Sequence, residues 1–408
     1  MPARSLRGLL LAAVIVFFPA SSLADVIKDW NDRAWAASSQ AKQLPFVATR
    51  TMSLVHTAMF DAVNSVQGAY APYKIKAAAA PGTSAEAACV AAAHAVLVKL
   101  FPEQAAALDA EYAASLAQIP DGAAKNSGIA LVEEVAAKTL ALRASDGSDA
   151  PNAYRPAAAP GAYVPTTLPV GAQWGNVTPW IMERGSQFRP PAPPPLTSPE
   201  WARDYNEIKD LGGKKSAIRT AEQSDIARCW IIVGPASWDP VVRQLADSPG
   251  RSLIQNARLF ALAEMAAADA YIAVFDAKYT YNFWRPITAI RNGDKDGNDA
   301  TTRVPDWEPL IDTPLHPEYP CAHCITSAAV ASVLQAEFHS GSIPVMSMTS
   351  PTAPGFGRKW TTIQEWADEV SEARIYGGIH YRNSTVVGKA MGKKIGALAV
   401  QRYLPPTR

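Results

Sequence analysis

Long alanine-rich segments, with apolar residues at every third or fourth position, dominate this chain of 408 residues. This spacing places the apolar side chains on one face of an α-helix, and alanine has the highest helix propensity. Helices are predicted over eight segments: Thr49–Val63, Ser84–Phe101, Pro102–Leu116, Asp121–Ala144, Ser252 to about Lys278, Ile325–Glu337, Thr361–Tyr376 and Thr385–Arg402. Because the alternating pattern of strands is scarce, we predict an all-α fold built as a helical bundle.

The segment from Pro151 to Pro199 interrupts this pattern with many prolines. Proline lacks a backbone donor and fixes φ, so no regular helix can continue here. The segment is either a disordered linker or an ordered crossover that packs on the helices. Its large apolar residues, which are rare in linkers, favour the crossover. We therefore expect an N-terminal helical region at 25–150, the crossover at 151–199 and a C-terminal helical region at 200–408.

The first 24 residues have the pattern of a signal peptide. Arg4 and Arg7 precede the apolar run Leu9–Phe18, and the small residues Ser22 and Ala24 follow. A membrane anchor is the alternative, but the run is shorter than the roughly 20 residues that span a bilayer. We expect cleavage after Ala24 and export to the periplasm or the medium. No later segment is long and apolar enough to form a span.

Composition limits the partners that can be expected. The net charge of +1 gives no overall attraction to nucleic acid or to a membrane surface, so any affinity for anions must come from a local cluster. Four cysteines are too few for a disulfide scaffold. In an oxidising compartment, however, Cys321 and Cys324 could form a bridge. The sequence leaves open whether the chain forms a homo-oligomer.

Three segments in the C-terminal third carry candidate chemistry. In the first, Lys278 and Arg285 lie at the end of a predicted long helix, and Pro286 forces the chain out of that helix. Lysine supplies a point charge and arginine a planar fork suited to an oxyanion. Taken alone, two such cations would more often form a solvated basic face.

The second segment runs from His316 to Cys324 and leads into a predicted helix that should begin near Cys321 or Ala322. The unpaired N–H groups at a helix start, together with its dipole, favour an anion there. His323 lies in the first turn, where it could transfer a proton near neutral pH. A capping or core histidine is the alternative.

The third segment joins Arg374 to His380 through Gly377 and Gly378. Residues six apart do not share a face of an unbroken helix, but a glycine pair can relax that geometry. His380 could then act as a metal ligand or as a nucleophile toward phosphorus. A structural histidine is the alternative.

In this order, the patterns Lys-x6-Arg-Pro, Pro-x-x-His and Arg-x5-His resemble the three-part signature of the vanadium-dependent haloperoxidases and type 2 phosphatidic acid phosphatases. The run from Met52 to Val63 and the His316-Pro-Glu-Tyr-Pro run are similar to exported bacterial members of the haloperoxidase branch. The resemblance implies a helical bundle of the haloperoxidase and acid phosphatase type with an extended proline-rich crossover.

The resemblance also implies roles for individual residues. Vanadate would be bonded to His380, and its oxygens would be held by Lys278, Arg285 and Arg374, above a floor at Cys321 and Ala322. His323 would assist proton transfer as hydrogen peroxide binds. Vanadium would act as a Lewis acid without changing its oxidation state, and a halide would be oxidised.

Two further expectations follow from the same resemblance. A histidine at the position of His316 is typical of bromoperoxidases and favours bromide, although a core histidine is the alternative there. The related phosphatases use the same pocket, so the second hypothesis is an exported acid phosphatase acting on a small phosphate ester. In that reaction His380 would attack phosphorus and His323 would protonate the leaving group.

The chain departs from the superfamily pattern at four positions. Cys321 replaces serine, Ala322 replaces glycine, Ala373 replaces the serine before Arg374, and Ser384 stands at the final acidic position. A thiol is a weaker donor than a hydroxyl, and a disulfide would remove that donor. The dithiol pattern Cys321-Ala-His-Cys324 also supports a third hypothesis, a redox-responsive protein that binds an oxyanion without catalysis.

Overall fold

The computed structural model describes residues 25–338, 343–403 and 405–407. Within them the chain forms thirteen α-helices and one β-hairpin, and the predicted all-α fold class is confirmed. The signal peptide predicted at 1–24 lies outside the described residues. No single helix in the described part of the chain is long and apolar enough to cross a bilayer, although Ala85–Leu100 and Pro102–Ala117 meet the criterion as a pair bent by 118°.

Five helices form the N-terminal region. They are α1 (Val26–Gln40), α2 (Pro45–Gln67), α3 (Ala85–Leu100), α4 (Ala105–Ala117) and α5 (Ala123–Arg143). Side-chain oxygens of Asp25 and Ser84 cap α1 and α3, and proline occupies the first position of α2. Each device suits a helix start, because it satisfies or removes backbone donors that have no partner within the helix.

Eight helices and the hairpin form the C-terminal region. The helices are α6 (Pro199–Leu211), α7 (Ala221–Cys229), α8 (Asp239–Ala246), α9 (Leu253–Tyr281), α10 (Pro286–Arg291), α11 (Ala322–Glu337), α12 (Ile363–Tyr376) and α13 (Arg382–Arg402). The antiparallel strands are β1 (Met346–Ser350) and β2 (Ala353–Trp360). The eight predicted helices are all present. The pattern did not predict α1, α6, α7, α8, α10 or the hairpin, because these elements are short or rich in polar residues.

Helix α9 is the centre of the molecule. It is buried along almost its whole length, and it packs against α2 on one side and against α11 and α13 on the other. Apolar residues lie on every side of α9, so the helix must be enclosed in this way. Helix α13 approaches α11 closely because Gly392 has no side chain, since a Cβ there would lie 2.2 Å from the carbonyl oxygen of Ile325.

The proline-rich segment packs along α9. Its residues Trp174, Trp180 and Ile181 are buried, and the carboxylate of Asp269 on α9 accepts hydrogen bonds from the N–H groups of residues 180, 181 and 182 at 2.7–2.9 Å. Farther along, the hydroxyl of Tyr319 donates to the carbonyl of Pro191 at 2.9 Å. The segment therefore obtains from tertiary contacts the backbone hydrogen bonds that a regular helix would have provided.

Candidate oxyanion site

Lys278 lies in the last turn of α9, which ends where Asn282 adopts a left-handed conformation. The ammonium group is fully buried and donates to three carbonyl oxygens, those of Pro317 (2.9 Å), Glu318 (2.7 Å) and Pro320 (2.5 Å). An ammonium has three protons, so these contacts satisfy it completely. Lys278 therefore holds the 317–320 segment in place. It is not among the residues that line the cavity described below.

Arg285 joins the other two predicted segments. Its Nε donates to the carbonyl of His316 at 2.9 Å, and its Nη1 donates to the carbonyl of Ile379 at 2.9 Å. Nη2 lies 2.9 Å from Nδ1 of His316, and Nη1 lies 3.3 Å from Nε2 of His380. Burial lowers the pKa of Arg285 to about 10, so the guanidinium stays charged at neutral pH. One buried cation thus fixes the relative position of two candidate histidines.

The start of α11 forms the floor of the site. Cys321 is the N-cap, and its sulfur accepts a hydrogen bond from the N–H of Cys324 at 3.2 Å. The two cysteines form a disulfide, so Cys321 has no thiol proton to donate to an anion. The helix itself leaves the N–H groups of Ala322 and His323 without an intrahelical partner, and an anion is favoured beside them.

The His323 side chain points back toward the loop after α7. Its Nε2 lies 2.9 Å from the carbonyl oxygen of Ile232. A carbonyl can only accept, so Nε2 carries the proton and the neutral ring keeps an acceptor at Nδ1. Burial, followed by the positive charge of Arg374, lowers the pKa of His323 well below its usual value. The ring is therefore neutral over the physiological range, and its Nδ1 can accept a hydrogen bond.

Arg374 lies in the last turn of α12, and only one side of its guanidinium is engaged. Nη1 donates to the carbonyl of Trp230, while Nε has no hydrogen-bond partner among the described residues. Arg374 also forms no ion pair with any acidic side chain that the structure describes. Burial lowers its pKa to about 9, which still leaves it charged at neutral pH. A buried cation with an unused donor is a strong indication of an anion site.

The glycine pair after α12 brings His380 back to the site. Gly378 has a φ of 78°, and a Cβ there would lie 2.3 Å from the carbonyl oxygen of Gly212. Only glycine tolerates both conditions without strain. The helix therefore ends at Tyr376, and the chain turns so that Arg374 and His380 border the same cavity.

His380 is held by a residue that the sequence reasoning did not single out. Its Nδ1 lies 2.7 Å from Oε1 of Glu318, which also accepts a hydrogen bond from the N–H of Tyr381 at 3.1 Å. Ser384, at the position where the superfamily has an acid, places its Oγ 3.4 Å from the same Nδ1. The sequence signal for this role is the absence of an acid at position 384, which implies that another carboxylate holds His380. Glu318, within the His316-Pro-Glu-Tyr-Pro run, is that carboxylate.

This contact determines the tautomer of His380. The carboxylate of Glu318 accepts a hydrogen bond from the protonated Nδ1, which leaves the lone pair on Nε2. Burial is the largest cause that lowers the pKa of His380, followed by the charges of Arg285 and Lys278. Burial also raises the pKa of Glu318 to about 7, although Lys278 and Arg285 oppose this effect. His380 thus presents an unprotonated nitrogen, as a metal ligand or a nucleophile requires.

The predicted site residues fall into two groups. One cavity of about 380 Å³ is bordered by His316, Ala322, His323, Arg374 and His380. Lys278, Arg285 and Cys321 lie behind this wall and position it. Three buried cations, those of Lys278, Arg285 and Arg374, are accompanied by the buried carboxylate of Glu318, so the local field favours a dianion. The residues present therefore fit vanadate or phosphate.

Known proteins that resemble this chain include vanadium-dependent haloperoxidases. Residues 258–406 match the family described as the VCPO second helical-bundle domain. Over 124 residues the chain is 29% identical to the vanadium chloroperoxidase of Curvularia inaequalis, a match that covers 27% of this chain and 20% of that protein. The matched part thus spans about a fifth of the length of this curated relative.

Solved structures give the fold over nearly the whole chain. A bacterial vanadium-dependent iodoperoxidase superposes with a TM-score of 0.79 at 23% identity, covering 94% of this chain and 98% of that one. The apo form of a bacterial vanadium-dependent chloroperoxidase gives 0.72 at 16% identity, with coverages of 87% and 92%. The chain therefore has the fold of the vanadium haloperoxidases, as the resemblance in the sequence predicted.

Proposed function

We propose that this protein is a vanadate-dependent haloperoxidase that oxidises a halide with hydrogen peroxide. The observation that carries the proposal is the pairing of the unprotonated Nε2 of His380 with the buried and unsaturated guanidinium of Arg374. Nε2 of His380 is suited to bond the metal, and the guanidinium of Arg374 is suited to hold an oxygen of the oxyanion. Both line one cavity, at the start of α11.

Specific residues would hold the cofactor and move protons. His380 would ligate vanadium, while Arg374 and the first N–H groups of α11 would hold its oxygens. Vanadate would supply Lewis acidity that makes hydrogen peroxide more electrophilic. Nδ1 of His323 would take the proton that peroxide loses. The overall reaction, in which halide, peroxide and a proton give hypohalous acid and water, is balanced in atoms and charge.

Bromide is the halide that we propose. His316 borders the cavity, and its Nδ1 is turned away from it toward Arg285 at 2.9 Å. The lowered pKa of His316, which burial and then Lys278 cause, keeps the ring neutral beside this cation. A neutral ring at this part of the cavity wall places no charge of its own beside a large, weakly hydrated halide.

An acid phosphatase is the second candidate, and the contact between Glu318 and His380 favours it too. A histidine whose Nδ1 is held by a carboxylate directs an activated Nε2 at an electrophile, which a phosphohistidine mechanism requires. The general acid is less suitable, because the lowered pKa of His323 leaves little of the protonated form at neutral pH. We therefore rank this activity second.

The two activities respond in opposite ways to vanadate. We expect vanadate-loaded protein to brominate a phenol-red indicator with bromide and peroxide, and vanadate-free protein to be inactive. If the protein is a phosphatase, it will hydrolyse p-nitrophenyl phosphate and vanadate will inhibit it. Bromination that is undetectable at saturating vanadate, in protein that binds vanadate by calorimetry, would reject the haloperoxidase proposal.

Two variants and a control locate the site. We expect Arg374→Gln to weaken orthovanadate binding by about 10–100-fold, the usual cost of losing a charge-assisted hydrogen bond. His380→Ala should remove saturable binding. His94, which stacks on Tyr112 in the N-terminal region, provides the matched control, and His94→Ala should bind vanadate normally. Equal binding in all three variants would place the anion elsewhere.

A redox-responsive role and export are separate proposals. The disulfide between Cys321 and Cys324 suits an oxidising compartment, and both residues are fully buried, which limits exchange with external thiols. Thiol counting before and after mild reductant tests the redox role, since an unreactive pair would exclude it. N-terminal sequencing of the protein from the periplasmic fraction tests export with cleavage after Ala24.

A further inference from the structure

The phenol of Tyr271 borders the same cavity as Arg374 and His380. Tyr271 lies on α9, one turn before Phe275, and only 7% of its surface is exposed. Residues four apart share one face of a helix, so α9 directs both rings at the cavity. The two rings stack with their centroids 6.3 Å apart, and the ring of Phe46 packs on Tyr271 at 6.5 Å. Tyr271 is therefore held firmly in the cavity wall.

The loop 230–234 contacts Tyr271 together with two residues of the oxyanion site. Its first carbonyl accepts a hydrogen bond from the guanidinium of Arg374, and its third carbonyl accepts one from Nε2 of His323 at 2.9 Å. The backbone of its last residue, Gly234, forms a hydrogen bond with the phenol. One short loop thus brings a guanidinium, an imidazole and a phenol to the same cavity.

The phenol of Tyr271 keeps its proton and has not used it. Burial raises the pKa of Tyr271, although the backbone of Gly234 and the charge of Arg374 oppose this effect. A hydrogen bond that opposes the rise stabilises the phenolate, so the N–H of Gly234 donates and the phenol oxygen accepts. The phenol proton has no acceptor within hydrogen-bond distance in the part of the chain that the structure describes. The group is therefore a neutral donor without a partner.

The acidic side chain on this cavity does not take up that donor. Asp312 borders the cavity and is exposed to solvent. Among the described residues it forms neither a hydrogen bond with Tyr271 nor an ion pair with a basic side chain. Water satisfies an exposed carboxylate, so Asp312 has no need of the phenol. The proton of Tyr271 remains available to a ligand within the cavity.

The floor of the site lacks a donor that the superfamily pattern would supply. Cys321 stands where the pattern has serine, and its disulfide to Cys324 leaves no proton on the sulfur. A tetrahedral oxyanion presents four oxygens, and each of them accepts hydrogen bonds. A donor on the wall beside Arg374 can therefore compensate for the donor that is missing from the floor.

We propose that the phenol of Tyr271 donates a hydrogen bond to the bound oxyanion, in place of the hydroxyl that Cys321 lacks. This inference rests on the proposed oxyanion site of His380 and Arg374. Tyr271 keeps its proton throughout, so its contribution is to binding and not to proton transfer. A hydrogen bond to a charged acceptor is stronger than one between neutral groups, so its loss should be measurable.

Isothermal titration calorimetry with orthovanadate, without peroxide or halide, tests the proposal. Tyr271→Phe removes the hydroxyl and keeps the ring, and we expect the Kd to rise about tenfold, the usual effect of losing a hydrogen bond to a charged group. Inorganic phosphate should show the same change. The matched control is Tyr205→Phe, which loses a hydrogen bond of 2.8 Å to the carbonyl of Thr302 outside the cavity and should bind as the wild type does. An unchanged Kd in Tyr271→Phe would overturn the proposal.

A double-variant cycle separates a direct contact from an effect through the loop 230–234. If the phenol binds the anion, Tyr271→Phe should raise the Kd by about the same factor in the Arg374→Gln protein as in the wild type. If the phenol only positions Arg374, its removal should have no further effect once that guanidinium is gone. The second result would overturn the proposal.

Calorimetry also keeps this inference distinct from the proposed activity. If Tyr271→Phe weakens orthovanadate binding as expected but the wild type does not oxidise bromide, the haloperoxidase proposal fails and the role of Tyr271 stands. If the wild type oxidises bromide and the Kd of Tyr271→Phe is unchanged, the role of Tyr271 fails alone.

Discussion

The Oε1 atom of Glu318 lies 2.7 Å from Nδ1 of His380, and both side chains are buried. The superfamily pattern places an acid four residues after this histidine, where the chain has Ser384. The carboxylate that orients His380 therefore comes from the segment before α11 instead of from α13. Lys278 at the end of α9 and Arg285 before α10 hold that segment in place. They therefore position the carboxylate that determines which nitrogen of His380 is unprotonated.

We predict that Glu318→Gln weakens orthovanadate binding by about 10–100-fold, as the loss of a partner behind a metal ligand usually does. The isosteric amide preserves packing, so the melting temperature should change little. Adding Ser384→Asp should restore much of the affinity, because Ser384 Oγ lies 3.4 Å from the same nitrogen. Glu318→Gln with Ser384→Asn is the control and should not recover. Wild-type affinity in Glu318→Gln would show that the contact is only structural.

A second prediction concerns the ammonium of Lys278. Lys278→Met leaves the carbonyls of Glu318 and Pro320 buried without a donor. The carbonyl of Pro317 keeps only the longer contact from Nη2 of Arg285, at 3.3 Å. We therefore expect the free energy of unfolding to fall by about 3 kcal/mol or more. Urea denaturation followed by circular dichroism measures this. Lys393→Met, on the exposed face of α13, is the control and should change stability by less than about 0.5 kcal/mol. Unchanged stability in Lys278→Met would contradict the conclusion that Lys278 holds the 317–320 segment in place.

Replacing the disulfide restores the hydroxyl of the superfamily pattern. We predict that Cys321→Ser with Cys324→Ser binds orthovanadate about 2–10-fold more tightly, since one hydrogen bond is gained. The short loop that the disulfide closes makes its loss cost at most about 2 kcal/mol of stability, and the serine introduced by Cys321→Ser still caps α11. The matched control, Cys321→Ala with Cys324→Ala, loses the bridge without gaining a donor. Tighter binding in both double variants would show that loss of the bridge, and not the new hydroxyl, causes the effect.

A fourth prediction concerns pH and a buried acid outside the site. Glu264 accepts a hydrogen bond from Nε1 of Trp238 at 2.8 Å, and burial raises its pKa from 4.5 to about 8. Between these values the folded state keeps a proton that the unfolded state has lost, so stability falls as pH rises from about 4.5 to 8. In Glu264→Gln this contribution is absent.

Urea titrations at pH 5 and pH 8.5 test this prediction. The wild type should lose more free energy of unfolding between the two values than Glu264→Gln, by an amount on the order of a few kcal/mol. Buried acids that do not interact with Glu264, such as Asp269 with a pKa raised to about 6, titrate in both proteins and cancel in the comparison. Equal losses in the two proteins would mean that Glu264 is already ionised in the folded state.

Much of the fold could be predicted from the sequence because helix formation is governed by local spacing. The long alanine-rich segments of α2, α3, α9, α11 and α13 all form, and α11 begins at Ala322 as expected. The short helices α7 and α8 were not predicted, since they are stabilised by tertiary packing more than by their own periodicity. The hairpin β1–β2 was not predicted for the same reason.

For the site, the order and spacing of Lys278, Arg285, His323, Arg374 and His380 were enough to predict the type of fold and to suggest an oxyanion ligand. The sequence determined these residue types and the helices that carry them. Only the tertiary structure decided which donors stay available, because that depends on contacts between distant segments. Those contacts satisfy Lys278 with three carbonyls, leave Nε of Arg374 unpaired and bring Glu318 to His380.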